Sequence, residues 1–181
     1  MVHLVDIDGG NWRVPLKVSK AQELYVANST TILARAYAYR NSRSCASLIY
    51  EDETPIGMIL YHDEDTLDAY IFSEIFIDEK FQGKGYGRAA TKLVLDNMKK
   101  DGKYNKVILC YIDGNEAAQK LYQGFGFVET DRDDDEIIME LDKLEFGGQW
   151  PLTMRHGLRR PNRIISRPVA SFRSTHGIRQ T

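Results

Sequence analysis

At 181 residues the chain is sized for one domain with a substantial core, and 43% hydrophobic with 28% charged residues is the composition of an ordinary globular protein, which excludes a disordered or fibrous one. The net charge of −2 conceals a split. Residues 1–142 carry 16 Lys+Arg against 25 Asp+Glu, a balance of −9, whereas residues 143–181 carry 8 against 1, a balance of +7. An acidic body argues against specific nucleic acid as the main partner and favours cationic ligands.

No apolar run approaches the ~20 residues needed to span a bilayer, so no membrane association is expected. The start, MVHLVDIDGGNW, lacks the basic and apolar regions of a secretory signal. Cys45 and Cys110 lie in strand-like runs and are expected as free thiols, which suits a reducing cytoplasm. The histidines His3, His62, His156 and His176 are scattered, with no zinc-ligand spacing, and no metal is expected.

Taken in order, Val2–Ile7 reads as a strand and Asp8-Gly9-Gly10 as a turn. Asn11 and Ser19 could cap short helices over Trp12–Val18 and Lys20–Val26. Asn28-Ser29-Thr30 caps a helix over Thr31–Tyr39. Ala46–Tyr50 and Ile56–Tyr61 form a hairpin, residues 62–68 an acidic loop, and Ala69–Ile77 the next strand. A helix follows over Arg88–Lys100, then a buried strand at Val107–Tyr111, a helix at Glu116–Gln123, and strands at Phe127–Glu129 and Glu136–Leu141 around an acidic turn at 131–135. The sum is an α+β domain over residues 1–142, with a mixed, mainly antiparallel twisted sheet flanked by helices. Residues 143–181, arginine-rich and without sustained periodicity, read as an appended basic tail, disordered or a non-native extension.

Between the strand ending at Ile77 and the helix lies Gln82-Gly83-Lys84-Gly85-Tyr86-Gly87-Arg88. Unpaired N–H groups and the positive end of a helix dipole meet at such a junction, which suits phosphate. A Walker A loop would need Ser or Thr after Gly-Lys, a dinucleotide fingerprint would need different glycine spacing, and a kinase loop would join two strands. By itself the turn is equally well explained by glycines supplying positive φ.

A second stretch, Asn115-Glu-Ala-Ala118-Gln-Lys-Leu121-Tyr122-Gln-Gly-Phe-Gly126-Phe127, follows the next strand. Gln82, Gly85 and Gly87, followed by this Asn-x-x-Ala-x-x-Leu-Tyr-x-x-x-Gly-Phe segment, resemble the two hallmarks of the Gcn5-related N-acetyltransferase superfamily over about residues 1–142. VSKAQELYVANST and IDEKFQGKGYGRAA resemble the bacterial spermine/spermidine (diamine) acetyltransferases more narrowly.

The resemblance implies acetyl-CoA as co-substrate. Its pyrophosphate would lie on the amides of Gln82, Gly83, Lys84, Gly85, Tyr86, Gly87 and Arg88, and its pantetheine arm along Ile75, Phe76 and Ile77, with Asn115 a further contact. It implies a small primary amine, foremost a polyamine, as acceptor, with Glu23, Tyr25 and Glu74 as candidate substrate residues and Glu51, Asp52, Asp68 and the 62–68 loop as further acidic groups. An ammonium has no lone pair, so a base must remove a proton, and Glu74 on the strand ahead of the turn is the candidate. The eukaryotic-type relatives carry two adjacent acids where this chain has Ser73 and Glu74. Tyr122 is the candidate to protonate the leaving thiolate. Relatives in the superfamily are often homodimers. Rival readings are an acetyltransferase acting on protein amines or aminoglycosides, and a non-catalytic acyl-CoA- or RNA-binding module.

Overall fold

The computed structural model describes residues 1–142; the expectations for the basic tail lie outside them. The described residues form one seven-stranded sheet in the order β1-β2-β3-β4-β5-β7-β6. Its strands are β1 (Val2–Asp6), β2 (Cys45–Glu51), β3 (Thr54–Glu64), β4 (Ala69–Ile77), β5 (Lys106–Ile112), β6 (Val128–Asp133) and β7 (Glu136–Asp142). Every neighbouring pair is antiparallel except β4 and β5. The connection between those two contains helix α2 (Tyr86–Asp101), as a parallel crossover requires.

One sheet face packs on α2 and on α3 (Glu116–Gln123). Ala90, Val94, Leu95 and Met98 of α2 meet Tyr70, Phe72, Val107, Leu109, Tyr111, Ile137, Met139 and Leu141 of the strands, with Tyr122 of α3. On the other face Ile32 of α1 (Ser29–Ala38) meets Leu48, Met58, Leu60 and Phe76. Asn28 caps α1 by accepting the Thr31 N–H at 2.9 Å, and Gly102, at φ 66°, ends α2 with its N–H on the Met98 carbonyl.

Three expectations need correction. Residues 12–26 form turns and extended chain, not helices. Val14, Leu16 and Val18 alternate inward against the α1-side core while Pro15 and Lys17 face solvent, so the pattern has period two. Asp8 accepts the Gly10 and Asn11 N–H groups, Asn11 accepts that of Asp8, and Pro15 has no N–H to continue a helix. Of the stretch expected as an acidic loop, residues 62–64 belong to β3, which runs on to Glu64, and only Asp65–Leu67 make a short helical turn. Asp63 is buried and receives Lys103 Nζ at 2.7 Å and Arg43 Nη1 at 3.3 Å, and Asp65 receives Lys103 at 2.8 Å. The final hairpin is also longer than expected, with β6 reaching Asp133.

Candidate active site

The site is built where β4 and β5 part. Their parallel pairing covers Ala69–Ile71 against Lys106–Ile108 and stops, although β4 continues to Ile77 and β5 to Ile112. The same point carries a β-bulge. Against β3 the register passes from Tyr61↔Phe72 to Leu60↔Glu74, leaving Ser73 as the extra residue. The bulge shifts the alternation by one. Tyr70 and Phe72 face the α2-side core, and beyond the bulge so do Ile75 and Ile77, while Phe76 joins the α1-side core. Backbone groups of β4 on the side away from β3 therefore open onto a cleft, and Ile75, Phe76 and Ile77 line that stretch of strand, where an extended ligand could complete the ladder.

The cleft leads to the glycine turn. A single helical turn, Glu79–Phe81, follows β4, and α2 begins at Tyr86. Gly83 and Gly85 have φ of 75° and 81°, a region that L-residues with a Cβ enter only with strain. A Cβ on either would meet nothing within 4 Å, so the backbone there borders open space. Gly87 differs: a Cβ would stand 3.8 Å from Ile77 Cγ1, an ordinary contact. Gly85 is the N-cap of α2 and brings no side chain to the first-turn N–H groups of Tyr86, Gly87 and Arg88. These amides and the helix dipole could hold a phosphate-bearing group, with Lys84 and Arg88 adding positive charge.

Side chains brace the turn. Gln82 Nε2 donates to the Ile77 carbonyl at 3.0 Å and to Gln22 Oε1. Buried Asp78 accepts the Lys17 N–H at 2.8 Å and the Lys80 N–H at 3.0 Å, tying the amino-terminal segment to the turn. Arg88 lies over the Phe125 ring at 4.8 Å and reaches the Gly124 carbonyl at 3.4 Å, which links α2 to the end of α3. Asn115 Oδ1, expected at the cofactor, caps α3 by accepting the Ala118 N–H at 3.1 Å.

Glu74 faces α1, where it forms an ion pair with Arg35 and receives the Ala27 backbone N–H. Burial raises its carboxyl above the ordinary range, and Arg35 and the Ala27 N–H oppose that rise without cancelling it. Tyr122 is buried on the α2 side, ringed by Phe72 at 6.0 Å, Phe127 at 5.8 Å and Tyr111 at 6.4 Å between centroids. Burial first, then the charges of Glu74 and Cys110, raise its phenol, so it keeps its proton at neutral pH.

Two further groups were not marked by sequence reasoning. Cys110 on β5 has its thiol pushed up to about 12, by burial first and then by Glu136 and Glu74, and so stays protonated. Glu136, next to the exposed Asp133–Asp135 turn, is buried, and its carboxyl is raised by burial and by those neighbouring acids. No periodic or motif signal separates Glu136 from its acidic neighbours; only the β5–β7 register brings it beside Cys110. Both cysteines are free thiols.

Of the other substrate candidates, Tyr25 is half-buried against the β5–α3 turn, where a Cβ at Gly114 would stand 3.7 Å from its hydroxyl. Glu23 is exposed on the neighbouring turn. Glu51 and Asp52 pair with the Met1 amino group, and the 62–68 acids lie at the opposite end of β4 from the glycine turn.

A sheet opened between two parallel strands, with a glycine turn and helix start at one end and a buried acid beside the opening, is a layout suited to group transfer from a phosphate-bearing donor. Residues 13–127 match the model of the Acetyltransferase (GNAT) family, and the chain belongs to that family. As a member of that family it is an acyltransferase. Over 118 residues it is 30% identical to the spermine/spermidine N(1)-acetyltransferase of Bacillus subtilis (strain 168), covering 62% of this chain and 76% of that protein. Spermidine N-acetyltransferase from Vibrio cholerae, solved with CoA and spermine, superposes with a TM-score of 0.64 at 20% identity, over 78% of this chain and 95% of the other. The ribosomal-protein-S18-alanine N-acetyltransferase from Escherichia coli gives a TM-score of 0.61 at 19% identity, over 81% and 97%. At such identities the likeness concerns the fold. Among the described residues no helix is long and apolar enough to cross a membrane.

Proposed function

We propose that this chain acetylates a primary amine, foremost a polyamine such as spermidine or spermine, by direct attack while donor and acceptor are both bound. The observation that carries the reading is the parting of β4 and β5 at the Ser73 bulge. It joins the anion cradle to a face holding Glu74, Cys110 and Glu136. Acetyl-CoA supplies the activated thioester carbonyl. The amides of Gly83–Arg88 hold its phosphates, and the open edge of Ile75–Ile77 holds its extended arm. The acidic body and the B. subtilis relative support a polycationic acceptor, which the Asp133–Asp135 turn and Glu136 would draw in.

Glu74 takes the proton from the attacking amine, directly or through one water. Burial lifts its carboxyl towards the pH at which a base is useful, and Arg35 holds it in place. Tyr122 gives its proton to the departing sulfur, for which its buried, protonated phenol is suited. We place the reaction in the cytoplasm, where two free thiols persist.

Acetyl transfer from acetyl-CoA, measured across spermidine, spermine, a peptide with a free amino terminus and an aminoglycoside, tests the acceptor class. Turnover of the two polyamines at least tenfold above the others is expected. Turnover of the peptide or aminoglycoside alone would remove the polyamine assignment, and no turnover of any amine would remove the reaction.

A further inference from the structure

The bulge that parts β4 from β5 puts two consecutive side chains, Ser73 and Glu74, on the α1 face. Glu74 is held by Arg35. Ser73 is held from elsewhere: its Oγ lies 2.9 Å from His62 Nδ1 on β3. His62 is buried, and its ring stacks on Tyr39, at the end of α1, with 4.3 Å between centroids and 19° between planes. A half-buried hydroxyl thus sits at the parting of the strands, backed by a clamped imidazole and flanked by the candidate base. Neither the glycine turn nor the Glu74–Tyr122 chemistry uses this pair.

A serine hydroxyl has one hydrogen and two acceptor lone pairs, and the imidazole behind it decides where the hydrogen goes. We propose that Ser73 and His62 form a polarity-set acceptor for the substrate ammonium: neutral His62 takes the Ser73 hydrogen on Nδ1, so that Ser73 Oγ turns its lone pairs to the cleft and helps hold the amine beside Glu74. Protonation of His62 reverses the pair. Nδ1–H then donates to Oγ, the Ser73 hydrogen turns outward, and a positive charge stands behind it, all opposing a cation. The groups facing His62 are Asp63 and Glu64 of its own strand, Arg35 and Tyr39 from the α1 side, and Ser73 from β4. Burial outweighs the two acids and, with Arg35, holds the imidazole below its ordinary range, so the acceptor state prevails at neutral pH. Ser73 is a substrate contact in this scheme and His62 a positioning residue acting through it.

The inference rests on the amine-acetyltransferase reading, and its test separates the two. Ser73→Ala is expected to raise the KM for spermidine about tenfold, the loss of one charge-assisted hydrogen bond, with kcat and the KM for acetyl-CoA within about twofold. His62→Asn, whose amide can place an acceptor near the Nδ1 position, should keep the neutral-pH KM but flatten its rise in mild acid, whereas His62→Ala should resemble Ser73→Ala. The spermidine amines stay protonated throughout that range, and the Glu74 titration is common to wild type and His62→Asn, so the difference between those profiles isolates His62. Nitrogen-15 NMR of the histidine rings, which needs no turnover, should show His62 with its proton on Nε2 at neutral pH. A proton on Nδ1, or a spermidine KM indifferent to Ser73→Ala, overturns the inference. Absence of turnover with any amine overturns the acetyltransferase reading instead, and the NMR experiment still decides the tautomer.

Discussion

The glycine turn and the α1-side face of the cleft solve opposite problems by different means. The turn offers backbone to an anion, through Gly83 and Gly85 in left-handed conformations and the start of α2 without a side-chain cap, all within a few consecutive residues. The α1 face, proposed for the amine, is built from side chains brought from α1, β3, β4, β5 and β7: Arg35, His62, Ser73, Glu74, Cys110 and Glu136. An amide recognises phosphate wherever the chain turns correctly, so the sequence requirement is local. A buried carboxylate needs a counter-charge, and that partner comes from wherever the fold supplies one.

Breaking the chemistry should give the largest effects. Tyr122→Phe is expected to lower kcat about a hundredfold or more, with the KM for acetyl-CoA nearly unchanged, in steady-state assays. A kcat within twofold of wild type would make Tyr122 a core aromatic only. Glu74→Gln should lower kcat/KM for the amine by a similar factor and abolish its rise with pH. The sign follows from the raised carboxyl: the base form is gained as pH climbs through the folded-state pKa, so wild-type activity falls in acid from higher pH than a solvent-exposed glutamate would dictate.

Arg35→Met probes the side-chain assembly itself. Removing the counter-charge leaves Glu74 buried and unpaired, at a loss of about 3 kcal/mol in stability by denaturant titration. Without Arg35 the folded-state carboxyl moves further up. A group raised on folding stabilises below its unfolded pKa and loses that contribution as pH climbs through the folded one, so the deficit should grow from acid to neutral pH. A deficit independent of pH would mean the pair is merely a packing contact.

The backbone site should respond more narrowly. Gly85→Val puts a β-branched residue at φ 81° and a side chain into the open space above the turn, so the KM for acetyl-CoA should rise about tenfold or more while the amine KM holds. Arg88→Ala should produce the smallest change, a few-fold in the same KM, because Arg88 also braces Phe125 and Gly124 and the neighbouring amides remain. An amine KM that moved with Gly85 would erase the separation between the two regions.

This contrast also explains what could be read in advance. The strand–turn–helix unit and the Asn115–Phe127 segment were legible because local chemistry dictates them: glycines where φ is positive, Asn115 where α3 needs a cap, apolar residues at helical and strand periods. Glu74 stands opposite Ile75 and Ile77, as simple alternation along that stretch of strand dictates. At 12–26 cap-forming residues suggest helices although Val14, Leu16 and Val18 repeat every second position, and at 62–68 charge suggests a loop although Asp63 is buried and paired.

By itself, then, the sequence determined the strands, the three α-helices from Ser29 onward, the glycine turn between β4 and α2 and the family, since each is carried by neighbours in the chain. Only the tertiary structure decided that Ser73 is the extra residue of a bulge, that β4 and β5 part beside it, and that Arg35 and His62 stand behind Glu74 and Ser73. The physical reason is register. Which residue of a strand lacks a partner depends on the strand across from it, and nothing in Ile71–Ile77 taken alone distinguishes Ser73 from a regular outward-facing position.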